Sequence, residues 1–159
     1  MLVVSDASPI NVLIRIGQVE ILPELFGSVM VPNAVAEEMS HPSTPPIIRD
    51  WMANPPGWLS IRAPASPSPP LLLRHRGERD AISLAVEVCA DAILLDEEKP
   101  RAQATALGLL VIGTVGILER AADVGIIKDL KEVHERLRTT DFRVRDAILV
   151  NSLHRHLSR

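Results

Sequence analysis

The sequence predicts an α/β fold: a three-layer α/β/α sandwich around a central, mostly parallel sheet of four or five strands. Three observations carry this. Short, continuous apolar runs recur along the chain, as strands buried on both faces require. Amphipathic helical stretches separate them, the alternation that builds parallel sheets. Acids or hydroxyls close several of the runs, at the ends where open α/β sheets bind ligands.

The elements run in order along the chain. LVVSD (2–6) is a strand ending on an acid. Ser8 and Pro9 read as N-cap and first residue of the helix PINVLIRIG, closed by Gly17. QVEILPELF (18–26) is a short helix stopped by Gly27, and SVMVP (28–32) is a strand. Pro32 starts the helix NAVAEEMSH, which must stop before Pro42. PPIIRDWMAN (45–54) reads as a helix and WLSIR (58–62) as a further strand. The Pro/Ser-rich stretch at 63–76 is a loop inside one domain, since the strands beyond it need the earlier strands to complete a sheet. RDAISLAVEVCA (79–90) is an apolar helix, DAILLD (91–96) a buried strand and PRAQATALG (100–108) a helix. LLVIGT (109–114) is the last strand, with VGILERAADVG a helix after it. A C-terminal helical segment from 126 holds KDLKEVHERLRT and VRDAILVNSLHRHL, both amphipathic. The expected organisation is one domain over 1–159.

Composition excludes several classes. The net charge of −3 argues against a surface coated in positive charge for nucleic acid, but permits a local basic rim around an acidic pocket. Tyr is absent and Phe and Trp are scarce, which argues against a platform for stacking bases. The five His show no zinc-ligand spacing. Apolar runs break at charges before membrane-spanning length, so no transmembrane helix is expected. MLVVSDASP lacks the basic-then-apolar order of a signal peptide. One cysteine, Cys89, fits a reducing cytoplasm; inside an apolar helix it reads as a small buried hydrophobe.

The chemistry concentrates in acids: Asp6, Glu38, Glu78, Asp80, and Asp96 with Glu97 and Glu98. Any one of them alone reads as a capping or dipole-satisfying residue. As a set on one sheet edge they read differently. Carboxylates a few ångströms apart repel and raise one another's pKa unless a cation neutralises them, and hard oxygen donors suit Mg²⁺ or Mn²⁺.

In order and spacing, VVSDASPINVL, VPNAVAEE, GERDAISLA, ILLDEEKPR and LGLLVIGTVGIL resemble the PIN-domain family, in particular its VapC-like prokaryotic branch. The resemblance runs from Val3 through FRVRDAILVNSL (142–153). It implies a metal-dependent ribonuclease, often the toxin of a toxin–antitoxin pair. It places the catalytic and metal-binding acids at Asp6, Glu38, Glu78 and Asp96, with Asp80 and Glu98 as weaker alternatives to the last two. Ser8 is a hydroxyl supporting the ligands. Pro100 stands where the branch has glycine, which would stiffen the loop beside the site.

On that reading Mg²⁺ or Mn²⁺ activates water for attack on a phosphodiester, with no covalent intermediate. Thr114 reads either as a supporting hydroxyl that orients a metal-bound water or as a plain strand-end hydroxyl. RNA phosphate contacts are expected from Arg74, Arg76, Arg79, Lys99 and Arg101, with His75 alongside. The rival within the fold is a PIN-like protein that binds nucleic acid or a partner without cutting. A receiver needs paired acids after its first strand and a haloacid-dehalogenase-type phosphatase needs Asp-x-Asp; SDAS offers neither. Expected partners are RNA, an antitoxin protein and a second copy of the chain. PINVLIRIGQVEILPELF and AILVNSLHRHL carry more apolar surface than one small sheet needs, most of it for core packing and the remainder for homodimer or antitoxin contact.

Overall fold

The computed structural model describes residues 1–65 and 71–159. Its elements run β1 (Leu2–Ser5), α1 (Ala7–Arg15), α2 (Ile21–Phe26), β2 (Ser28–Pro32), α3 (Asn33–Met39), α4 (Pro46–Ala53) and β3 (Leu59–Arg62). They continue α5 (Arg76–Glu87), β4 (Ala92–Leu94), α6 (Glu98–Ala106), β5 (Val111–Ile112), α7 (Thr114–Asp123), α8 (Leu130–Arg138) and α9 (Asp146–Leu157). Part of the Pro/Ser-rich loop predicted at 63–76, residues 66–70, lies outside the described residues.

The five strands pair in the order β3-β2-β1-β4-β5, and every pairing is parallel. Alternation along the strands divides their side chains between two cores. Val3, Val29, Val31, Ala92 and Leu94 join one cluster, with apolar residues of α1–α4 and α7–α9. Val4, Ile93 and Leu95 join the other, under α5 and α6. The three-layer expectation therefore holds, with helices on both faces.

The strand order reverses between β1 and β4, and this reversal positions the site. Chain connections leave β1 and β4 toward opposite sides of the sheet, opening a crevice at their C-terminal ends. The register sets Ser5 beside Leu94 and Leu94 beside Ile112. The residues just beyond these strands, Asp6, Asp96 and Thr114, therefore reach one edge.

Several boundaries differ from the sequence reading. Asp6 rather than Ser8 occupies the N-cap position of α1, with extended backbone (φ −78°, ψ 172°). Thr114 opens α7 instead of ending β5. Helix α5 stops at Glu87, so Cys89 lies in the turn beyond it, exposed, with φ 52°. Its amide and that of Ala90 bond back to Val86 and Ala85, a helix stop of the kind glycine usually makes. The apolar surplus read in PINVLIRIGQVEILPELF is core, since Ile10, Leu13, Ile14, Ile21, Leu22 and Phe26 are all buried. In α9 Leu149 is buried, while Ile148, Val150 and Leu157 are exposed.

Candidate active site

A cleft of about 640 Å³ opens at the switch between β1 and β4. Asp6, Glu38, Glu78, Asp96, Glu97, Glu98 and Asp141 line it, against Arg15, Arg143 and His75. The four principal acids come from four different elements. Asp6 follows β1, Glu38 sits near the end of α3, Glu78 in the first turn of α5, and Asp96 just after β4.

Asp6 is the deepest of them, only 7 % exposed. Burial pushes its pKa up to about 7, and the negative charges of Glu38, Glu78 and Asp96 push the same way, while the Ala7 amide pulls against them. Glu78, half-buried, is also raised, first by desolvation and then by Glu97 and Glu38, with His75 opposing. Carboxylates raised by burial, and further by one another's negative charge, are groups whose ionised form an added positive charge would favour.

Asp96 is held differently. The Thr114 amide donates to its Oδ1 at 2.7 Å, while the Thr114 and Ser8 hydroxyls donate to Oδ2 at 2.8 and 2.9 Å. The first turns of α7 and α1 thus fix one carboxylate between them. Thr114 donates its hydroxyl proton to Asp96, and the acceptor side of that hydroxyl remains for another group. Ser8, in the first turn of α1, donates to the same Asp96 oxygen.

Gly77 explains how the acids come close. A Cβ there would stand 3.2 Å from Glu38 Oε2 and 3.6 Å from Asp6 Oδ1, in the space the two carboxylates share. Gly113 does the same next door, where a Cβ would fall 2.7 Å from Arg101 Nη1 and 3.3 Å from Asp96 Oδ1.

Of the alternatives, Glu98 lines the cleft and Asp80 does not. Asp80 faces Arg76 at 3.5 Å, one turn back along α5. The basic residues expected around the site are scattered. Arg76 bonds Glu37 at 3.0 Å, so its charge is engaged on the surface. Arg74, Arg79 and Lys99 line none of the clefts. Arg101 donates to the Leu95 carbonyl at 2.8 Å. His75 does reach the cleft.

Residues the sequence reading passed over line the cleft too: Asn11, Arg15 and Arg143. Asn11 and Arg15 fall three and seven residues after Ser8, so one helical face carries all three. That spacing was the available signal. Nothing in the local sequence marks Arg143.

Among the described residues no three acid, imidazole or thiol groups stand close enough to hold an ion as they are. The donor set still fits a hard divalent cation. All four principal groups are carboxylates, Asp6 makes no helix-capping bond, and Glu38 is exposed, with side-chain freedom left to close on an ion.

Fold and edge together define the class: a parallel α/β protein with clustered carboxylates at its topological switch. A family model described as PIN domain matches residues 2–158, and the chain belongs to that family. No curated protein and no solved structure gives a significant match. PIN domains are typically nucleases that bind nucleic acid and use divalent metal ions. Among the described residues no helix is long and apolar enough to cross a membrane.

Proposed function

We propose that the protein is a Mg²⁺- or Mn²⁺-dependent endoribonuclease of the VapC-like branch, the toxin of a toxin–antitoxin pair. The observation that carries this is the convergence of four carboxylates from four elements on one cleft, the most buried of which has its pKa raised to about 7, first by burial and then by the charges of the other three. Such repulsion is released when a cation is shared among the acids.

Asp6, Glu38, Glu78 and Asp96 would hold the ion. When bound, such an ion would supply an activated water and offset charge on the departing oxygen. The chain's own groups do the rest. Ser8 and Thr114 fix the rotation of Asp96, so one ligand is oriented before any ion arrives. Burial around Asp6 lowers the local dielectric and strengthens its attraction for a cation. Arg143 on the cleft wall supplies charge for the phosphate that must enter an otherwise acidic mouth, while the neighbouring Arg15 is paired with Asp141. A homodimer or antitoxin contact would use Ile148, Val150 and Leu157 of α9.

The separation of the acids beyond ligand spacing favours a second reading, a PIN-domain protein that binds RNA without cutting it. One experiment divides the two. Mn²⁺ should raise the melting temperature of the wild type and start cleavage of a fluorescent single-stranded RNA. Asp6→Asn should lose both while remaining folded. The loss in rate should exceed the roughly 10–100-fold typical of removing an outer partner of a metal ligand. Cleavage that persists in Asp6→Asn would remove Asp6 from the mechanism. Folded wild type that neither binds Mn²⁺ nor cuts would leave the binding reading.

A further inference from the structure

We infer that an arginine-lined recess on the far side of Asp96 holds the backbone phosphates of single-stranded RNA next to the one that is cut. This rests on the nuclease reading for its purpose, though its geometry is independent of it. The recess encloses about 460 Å³ beside β5 and the start of α7. Arg101, Arg120, Arg143 and Arg145 line it, and Asp96 is the one acid among its lining residues. Arg120, Arg143 and Arg145 are exposed and make no ion pair with any described residue. Arg101 lies across Gly113, where a Cβ would stand 2.7 Å from its Nη1 and make the guanidinium shift.

The neighbouring cleft has the opposite character. Seven carboxylates line it, and the chain as a whole carries a charge of −3. A polyanion approaching the acids alone would be repelled. It needs cations that grip the phosphates on one side while the scissile bond lies over the acids, and a file of unpaired guanidiniums is suited to that. The two cavities adjoin, with Asp96, Phe142 and Arg143 lining both. Phe142, the one aromatic ring among the residues lining the recess, stands at this junction, where a base can stack as its phosphates pass from one cavity to the other. The recess is on the scale of the ~300–1,000 Å³ pockets that hold a small ligand, so it takes one strand rather than a duplex.

The test is binding in EDTA, which separates grip from cleavage. A fluorescent mixed-sequence single-stranded RNA is titrated into wild type, Arg143→Gln/Arg145→Gln, Arg120→Gln, and a charge-matched Lys128→Gln/Lys131→Gln control whose lysines line none of the clefts. Melting curves verify folding, and Arg120→Gln provides an independent variant on a helix. The Arg143/Arg145 double variant should bind roughly tenfold more weakly at low salt. Its slope of log affinity against log salt should fall by about 1.4, two phosphate contacts at ~0.7 each, with the control near wild type. Single-stranded DNA and an acidic peptide form parallel arms. Equal losses in the arginine variant and the control, no RNA binding at all, or arginine-dependent binding of the peptide in place of RNA would each overturn the assignment, as would binding to DNA alone. Arginine-dependent RNA binding without cleavage in Mn²⁺ keeps the recess and removes the nuclease reading. Cleavage indifferent to the arginines does the reverse.

Discussion

Two buried carboxylates, Asp6 and Glu119, show opposite solutions to the same problem. Both are almost fully covered, at 7 % and 6 % exposure. Glu119 on α7 is met by Arg155, whose Nε and Nη2 donate at 3.0 and 2.8 Å, and by Arg159 at 3.1 Å. Those partners hold its pKa below the ordinary carboxylate value, with the Arg155 bond the largest cause. Asp6 is met by further acids, and its pKa rises to about 7. The first arrangement ties the C-terminal helix to the body. The second leaves a buried acid at the sheet edge without a cationic partner among the described residues, as the proposed metal site requires.

The largest effect should come from breaking that contrast at Asp6. Its folded-state pKa lies above its unfolded value of 3.8, so the folded state holds the extra proton between those values. Metal-free protein should therefore be most stable below about pH 4 as far as this group is concerned, and lose stability as pH rises through about 7. At 1.36 kcal/mol per pKa unit the loss is on the order of 4 kcal/mol. Asp6→Asn cannot ionise, so in EDTA at pH 8 it should melt above the wild type, by on the order of 10 °C. Saturating Mn²⁺ should narrow or invert that gap, because a ligand of the folded state stabilises only the chain that binds it. Melting curves from pH 4 to pH 8, with and without Mn²⁺, check this. A wild type as stable at pH 8 as its Asn variant would mean that Asp6 carries no such load.

How far the sequence foretold these two regions differs as well. Asp6 and Asp96 were legible because each ends a continuous apolar run, and parallel strands bring such ends to one edge. Glu38 and Glu78 required the order of the motifs as well as helical geometry. Thr114 was placed at the correct edge, but its partner was not, because Asp96 lies 18 residues away and the bond depends on β4–β5 register. Arg76 misled by adjacency. It sits one residue from the cleft-lining His75 yet turns on α5 toward Glu37 and Asp80. Arg143 and the Glu119 clamp were illegible for another reason. Each depends on how the C-terminal segment packs back on α7 and the sheet edge, which no local pattern encodes. Cys89 shows the same limit in small: the apolar pattern runs on past Glu87 without Gly or Pro, and only the turn itself reveals where the helix stops.

A smaller effect should come from loosening Asp96 while every carboxylate stays in place. Thr114→Val keeps the backbone donor to Oδ1 and removes the hydroxyl donor to Oδ2, leaving Ser8 as the other. Because Thr114 is fully buried, valine fills its space, and the fold should hold. Mn²⁺ affinity and cleavage should fall by about 10–100-fold, the range for the outer partner of a metal ligand. Thr114→Ser should recover most of the loss. If Thr114→Val matched wild type in Mn²⁺ titration, the bond would be structural only, and the site would differ less from the Glu119 clamp than the contrast requires.

The smallest effect should lie at the clamp. Glu119→Gln keeps the shape and the acceptor oxygen but removes the charge that Arg155 and Arg159 meet. Both arginines are about half exposed, so water recovers part of what they lose, and the cost should be about 1–2 kcal/mol, or a few degrees in melting temperature. The pH dependence runs opposite to that of Asp6. A depressed pKa contributes stability above the unfolded value of 4.5, and that contribution is lost as pH falls through the folded value. Wild type and Glu119→Gln should therefore differ at pH 7 and converge on acidification, whereas wild type and Asp6→Asn differ at pH 8 and converge there too, with the sign of the difference reversed. Cleavage at saturating Mn²⁺ should be unchanged in Glu119→Gln, because the residue lines neither cleft. A loss of cleavage with the fold intact would instead couple α9 to the sheet edge, through Arg155, which lines the arginine recess while bonding Glu119.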